Sequence, residues 1–78
     1  MKTMTCKQLG GACDKTFSAE TFDEIVELSK AHGMEMFHNM DAQHLEAMQR
    51  VTELMQSPEK MQAWIDKKRL EFEALPED

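Results

Sequence analysis

The chain has 78 residues with a formal net charge of −6, and 41% of its residues are hydrophobic. This length allows a single domain, which we expect to span residues 1–78, and the apolar fraction suffices for a core. The acidic balance disfavours binding to nucleic acid or to an anionic membrane surface, because both attract basic proteins. No transmembrane run and no secretory signal are recognisable, so we expect a cytoplasmic protein.

The first predicted element is a β-hairpin over residues 2–17. Apolar residues alternate loosely along this stretch, on either side of the pair Gly10-Gly11. Glycine pairs between two such runs favour a turn. A two-stranded hairpin is only marginally stable alone, so we expect it to pack against the helices that follow.

Three helices are predicted after the hairpin, at residues 21–37, 41–56 and 58–75. Thr21 and Glu24 have the spacing of a capping box at the start of the first helix. Asp41 is a typical N-cap for the second helix. Ser57-Pro58 combines a cap with proline at the first helical position of the third.

The predicted fold class is α+β: an N-terminal two-stranded β-hairpin packed on a three-helix array, the last two helices forming an antiparallel pair. Residues 1–38 carry the hairpin and the first helix, and residues 39–78 are interpreted as a helical-hairpin extension. The predicted core contains Phe17 of the hairpin and, on the apolar faces of the helices, Phe22, Ile25, Leu28, Leu45, Met48, Met55, Met61, Trp64, Ile65 and Phe72. Leu70 falls on the far side of its helix, so we expect it to be exposed or to contact a second copy. The helical pair is therefore a candidate surface for a homodimer or another protein partner.

Two cysteines and a histidine form the candidate functional site. Cys6 and Cys13 flank the glycine pair, and His32 lies at the centre of the apolar face of the first helix. Two thiolates and an imidazole supply three of the four ligands of a tetrahedral zinc site. A domain this small also gains stability from a metal cross-link. The competing interpretation of His32 is a core histidine bonded to a backbone carbonyl.

The fourth ligand is the open question at this site. We rank His38 first, then Asp14, then water. On a straight helix His38 lies ~120° around from His32, so a break in the helix would be needed to bring it in. His44 borders the apolar stripe of the second helix, and we interpret it as a half-exposed surface histidine.

The pattern of Cys6, Leu9-Gly10, Cys13-Asp14, Thr21 and His32 resembles that of a family of small bacterial proteins described as predicted small metal-binding proteins. The resemblance covers residues 1–38 and implies metal binding, without implying a reaction. In that family the first histidine is followed by Ala-x-x-x-His-Gly. In this chain Gly33 follows His32, Phe37 takes the second histidine's place, and His38 comes one position later.

Four functions remain in competition at this point. The first is a metal-binding protein in which zinc is held by Cys6, Cys13, His32 and His38, with a structural or metal-handling role. The second is a thiol redox or sensor protein using the two cysteines. A soft-metal protein, using Met34, Met36 and Met40 with His38 and His44, is the third, and a helical interaction module without metal is the fourth. No nucleophile–base pair or phosphate loop is recognisable, so we do not expect an enzyme.

Overall fold

The computed structural model describes residues 1–77. Its elements are strand β1 (Lys2–Thr5), a 3₁₀ turn (Lys7–Leu9), strand β2 (Thr16–Ala19), and helices α1 (Phe22–His38), α2 (Ala42–Met55) and α3 (Pro58–Ala74). The predicted fold class is confirmed, because a two-stranded antiparallel sheet precedes three helices. Each helix begins and ends within one residue of its predicted bounds.

The connection between the two strands differs from the predicted glycine turn. Met4 pairs with Phe17 across the sheet, and residues 6–15 form a longer connection than a tight hairpin allows. A 3₁₀ turn opens this connection and ends at Gly10, whose φ of 90° lies in the left-handed region that favours glycine. Consequently Cys6 and Cys13 lie in a loop rather than on facing strands. We call residues 6–15 the cysteine loop.

Each helix begins at the predicted side-chain cap. The Thr21 hydroxyl accepts a hydrogen bond from the Glu24 amide at 3.2 Å. The Ser57 hydroxyl accepts one from the Lys60 amide at 3.4 Å, with proline at the start of α3. Asp41 caps α2 in the same way. These caps satisfy backbone donors that have no partner within their own helix.

The core lies where α1 and the end of α3 cover one face of the sheet. Met4 and Ile25 are completely buried at its centre. The rings of Phe22 and Phe72 meet with centroids 5.9 Å apart, which joins α1 to α3. Lys2 donates a hydrogen bond from Nζ to the Glu73 carbonyl at 2.8 Å and so ties β1 to the same end of α3.

Part of the predicted core is wrong. Leu28 is 43% exposed on the outer face of α1, and Met55 is 61% exposed at the end of α2. Leu45, Met48, Met61, Trp64 and Ile65 are only half-buried. The helices are amphipathic as predicted, but the faces of α2 and α3 do not close completely on α1. Leu70 is exposed, as expected.

None of the helices within residues 1–77 is long and apolar enough to cross a membrane.

Candidate metal site

Four potential metal ligands from three segments converge beneath the cysteine loop. They are Cys6, Cys13, His32 and His44, and one ligand atom from each lies within 4.8 Å of all the others. The Cys13 Sγ is 3.3 Å from the His32 Nε2, and the Cys6 Sγ is 3.6 Å from the His44 Nε2. We call these four residues the Cys2His2 cluster. The cysteine loop supplies both sulfurs, while α1 and α2 supply one imidazole each.

Backbone hydrogen bonds fold the cysteine loop back on itself and bring the two sulfurs together. The Cys6 carbonyl accepts from the Gly11 amide at 2.8 Å, and the Lys7 amide donates to the Cys13 carbonyl at 3.1 Å. The Cys6 amide donates to the Lys15 carbonyl at 2.8 Å. With its backbone paired in this way, the loop positions each sulfur without support from a sheet.

Gly11 is the residue that allows this close wrapping. A Cβ built at Gly11 would overlap the Cys6 Sγ. Only glycine, with no side chain, lets the backbone pass so close to the sulfur. Gly11 therefore shapes the site although it offers no ligand atom.

His44 is held in place by the cap of its own helix. Asp41 Oδ2 accepts a hydrogen bond from the His44 amide at 3.0 Å and another from the His44 Nδ1 at 2.6 Å. With the proton on Nδ1, the lone pair of Nε2 faces the sulfurs. A carboxylate on the second nitrogen is the usual way in which proteins orient a metal-binding histidine. Asp41 thus caps the start of α2 and also orients the histidine of that helix.

His32 is buried between aromatic rings and lacks a complete set of hydrogen bonds. Its ring centroid lies 5.6 Å from that of Phe17 and 5.2 Å from that of His44. The buried Nδ1 has no hydrogen-bond partner among residues 1–77. On the Nε2 side, the ring lies 3.3 Å from the Cys13 Sγ. The competing interpretation, a core histidine bonded to a backbone carbonyl, is therefore not what the structure shows.

The protonation of the cluster follows from these contacts. Burial raises the pKa of the Cys6 thiol. Burial acts in the same direction at Cys13, but hydrogen bonds from the Lys15 backbone and from His44 outweigh it and lower the pKa of that thiol. The Asp41 hydrogen bond raises the pKa of His44, whereas burial lowers the pKa of His32. The lowered pKa values of Cys13 and His32 favour the deprotonated forms that bind metal, whereas the raised pKa values of Cys6 and His44 oppose them.

The donor set fits a tetrahedral divalent ion. Zinc bonds of about 2.3 Å to sulfur and about 2.0–2.1 Å to nitrogen place neighbouring ligand atoms roughly 3.3–3.8 Å apart in a tetrahedron. The two observed sulfur–nitrogen distances, 3.3 and 3.6 Å, lie in that range, and all four ligand atoms lie within 4.8 Å of one another. Two thiolates also balance the charge of a divalent ion, so a buried site carries no excess charge. The cluster is therefore compatible with metal binding.

Of the four residues named from sequence, the structure brings together Cys6, Cys13 and His32, and it adds His44 to them. His38 lies exposed at the end of α1, outside the cluster, with its ring beside Phe37. Asp14 points to solvent and pairs with Lys7 at 3.4 Å. The prediction that His44 is a half-exposed surface residue is wrong, since His44 is 5% exposed. α1 stays helical through Gly33 to His38, so the break needed to turn His38 inward does not occur.

Comparison with known protein families gives a match over the part of the chain that contains the cluster. Residues 1–57, which contain all four cluster residues, match the family described as protein of unknown function (DUF1059). The chain belongs to this family. The DUF1059 match runs past residue 38 and includes the whole of α2, so both histidines of the cluster lie within it. Searches of curated proteins and of solved structures found no match.

A signal for the missed histidine is present in the sequence. Asp41 and His44 are three residues apart at a helix start, a spacing that lets the cap carboxylate reach both the amide and the imidazole of the histidine. Helical periodicity alone placed His44 at the edge of an apolar stripe. The shared carboxylate indicates that the His44 ring is oriented, whereas its burial depends on how α2 packs over the cysteine loop.

Proposed function

We propose that this DUF1059 protein binds one zinc ion through Cys6, Cys13, His32 and His44. The observation that carries the proposal is the convergence of four ligand atoms within 4.8 Å from three separate segments. Asp41 supports it by orienting His44, and the approach of the His32 Nε2 to within 3.3 Å of the Cys13 Sγ supports it from α1. Thiolate and imidazole donors in equal number are typical of structural zinc.

The role that fits this arrangement is structural, without catalysis. Four protein ligands fill a tetrahedral ion and leave no position for a substrate or a reactive water. Three of the four residues are buried, and Cys13 is partly buried. Free thiolates persist as ligands in a reducing compartment, which agrees with the expected cytoplasmic location. In this role the ion joins the cysteine loop to α1 and α2.

Cobalt substitution tests the proposal directly. Co²⁺ added to the metal-free protein should bind at one equivalent and give the absorption of a tetrahedral site with sulfur-to-cobalt charge transfer. Zinc should then displace it. Because a ligand is removed, His44→Ala should abolish the tetrahedral spectrum or weaken cobalt binding at least tenfold.

His38→Ala is the matched control, since it removes an exposed histidine outside the cluster. It should bind cobalt as the unaltered protein does. Two results would overturn the proposal: an equal loss of cobalt binding in both variants, or an unaltered protein that is folded by circular dichroism but binds neither cobalt nor zinc. Loss in the His38 variant alone would restore the ligand set first expected from sequence.

A dithiol redox function is the second candidate, favoured by the unequal thiols. Cys13 is partly exposed with a lowered pKa, and Cys6 lies beside it with a raised one. A more acidic, accessible thiol next to a buried partner is the arrangement of an attacking and a resolving cysteine. Thiol titration of the zinc-loaded protein separates the two functions: a structural site protects both sulfurs from mild oxidants, whereas a redox pair forms the disulfide readily.

A further inference from the structure

A cavity of about 710 Å³ lies between the three helices, with the cysteine loop as its floor. Its volume is within the range of about 300–1,000 Å³ that is typical of small-molecule sites. Side chains of α2 and α3 form most of the apolar wall, with Met48, Val51, Trp64 and Ile65 prominent among them. These four residues are half-buried.

The incomplete core and the cavity are the same feature. Helical periodicity predicts that the stripes of α2 and α3 face inward, and they do, yet side chains fill the space between them and α1 only in part. At the mouth, Met55 is 61% exposed. A contiguous apolar surface of this kind on a small protein marks a place where something apolar binds.

The charges on the cavity wall differ in sign from the charge of the chain. Three charged residues line it: Asp23, Lys30 and Arg69. The cavity therefore carries one net positive charge on a protein whose formal net charge is −6. Arg69 pairs with Asp23 at 3.5 Å and Lys30 with Glu27 at 3.7 Å, and all four groups are well exposed. Exposed pairs of this length are weak, so either cation can exchange its partner for a ligand anion.

We propose that this cavity binds an amphiphile with an aliphatic chain and a carboxylate, of the class of a medium-chain fatty acid. The chain lies against the apolar wall of α2 and α3, and the carboxylate is held at the rim by Lys30 and Arg69. Cys6, His32 and His44 of the Cys2His2 cluster also line the cavity. Lys30 and Trp64, which carry the test, lie outside the cluster, so the titration is made on the metal-free and the zinc-loaded protein alike.

Trp64 provides the measurement, because it is the only tryptophan and the chain has no tyrosine. Titration with octanoate, decanoate and dodecanoate, each below its micelle concentration, should shift the Trp64 emission to the blue. The dissociation constant should fall about fourfold for each added methylene, as expected when each is buried. Dodecyltrimethylammonium, with the opposite charge, should bind at least tenfold more weakly than dodecanoate, although the net charge of the protein favours the cation.

Two charge reversals test the rim. Lys30→Glu should weaken dodecanoate binding about tenfold. Lys67→Glu makes the same change of net charge at an exposed lysine of α3 outside the cavity wall and should leave the affinity unchanged. Circular dichroism of both variants checks that the helices are intact.

Three results would overturn the proposal. They are an affinity independent of chain length, binding of the cationic amphiphile as tight as that of dodecanoate, and equal effects of the two reversals. A Trp64 emission that shifts with protein concentration alone, accompanied by dimer formation in sedimentation, would assign the cavity to a second copy of the chain instead.

Discussion

At the scale of single residues, Asp41 has two roles, and different substitutions of Asp41 can separate them. Its Oδ2 accepts from the His44 amide as a helix cap and from the His44 Nδ1 as an orienting carboxylate. Asparagine caps helices about as well as aspartate does. Asparagine lacks the negative charge of aspartate, which raises the pKa of His44 and strengthens the hydrogen bond to its Nδ1.

We therefore predict that Asp41→Asn lowers zinc affinity by about 10–100-fold, the usual effect of losing a carboxylate behind a metal-binding histidine. The thermal stability of the metal-free variant should change little, because the cap remains. Asp41→Ala should lose the same affinity and also about 1 kcal/mol of stability, since the cap is gone. Competition with a zinc-binding dye measures the affinities. Unchanged affinity in the asparagine variant would show that Asp41 acts only as a cap.

Three of the cluster residues could be named from sequence because their chemistry is visible without the fold. Two cysteines around a glycine pair and a histidine at the centre of an apolar helix face are local signals. His44 could not be ranked in the same way, since its burial depends on how α2 packs over the cysteine loop. Periodicity gives an angle around a helix, and at the edge of a stripe that angle does not decide between solvent and core.

At the scale of elements, helices were predictable and the cysteine loop was not. Caps at Thr21, Asp41 and Ser57 fix where the helices begin, and these signals lie within four residues of sequence. The loop depends on contacts between distant atoms, above all the approach of Gly11 to the Cys6 Sγ. A glycine pair predicts a turn equally well for a tight hairpin and for this longer connection.

Two glycine substitutions should change the thermal stability of the protein in opposite directions. Gly11→Ala places a Cβ on the Cys6 Sγ, so we predict loss of most zinc affinity and a lower melting temperature. Gly33→Ala is the control in the middle of α1, where a Cβ would make an ordinary contact of 3.7 Å with the Met48 Cε. Because alanine favours the helix, Gly33→Ala should raise stability by about 0.5–1 kcal/mol and leave zinc binding unchanged. Thermal unfolding with and without zinc measures both effects, and a Gly11→Ala protein with full zinc affinity would refute the role given to the loop.

At the scale of the whole molecule, the cluster connects parts of the chain that local structure leaves separate. The cysteine loop, α1 and α2 each contribute ligands, while α3 contributes none and instead covers the sheet through Phe72. An ion held by these three segments stabilises only the folded chain, since the unfolded chain has no preformed site. Binding free energy then adds to the free energy of unfolding.

Acidification should remove this stabilisation, because protons compete with the ion for each ligand. The pKa of Cys6 is raised, so this thiol is the first to lose its metal-binding form as pH falls. The raised pKa of His44 favours its protonated form, which contributes stability to the metal-free protein below the ordinary histidine pKa and loses that contribution as pH rises through the raised value. The lowered pKa of His32 has the opposite effect, because the folded protein resists its protonation. Zinc binds the neutral forms of both histidines, so its binding is strongest at neutral to mildly alkaline pH.

The effect of a chelator on the melting temperature, measured at two pH values, tests how much the ion stabilises the fold. At free zinc 1,000 times the dissociation constant, binding adds about 4 kcal/mol to the free energy of unfolding. Each kcal/mol shifts the melting temperature of a domain this size by about 4–8 °C, so a strong chelator should lower it by roughly 15 °C or more at pH 7.5. The same addition at pH 5 should have little effect, because protons already occupy the ligands. Cys13→Ser lacks one thiolate, so the chelator should change its melting temperature only slightly at both pH values. A large response of Cys13→Ser, or one that persists undiminished at pH 5, would mean that the ion binds outside the Cys2His2 cluster.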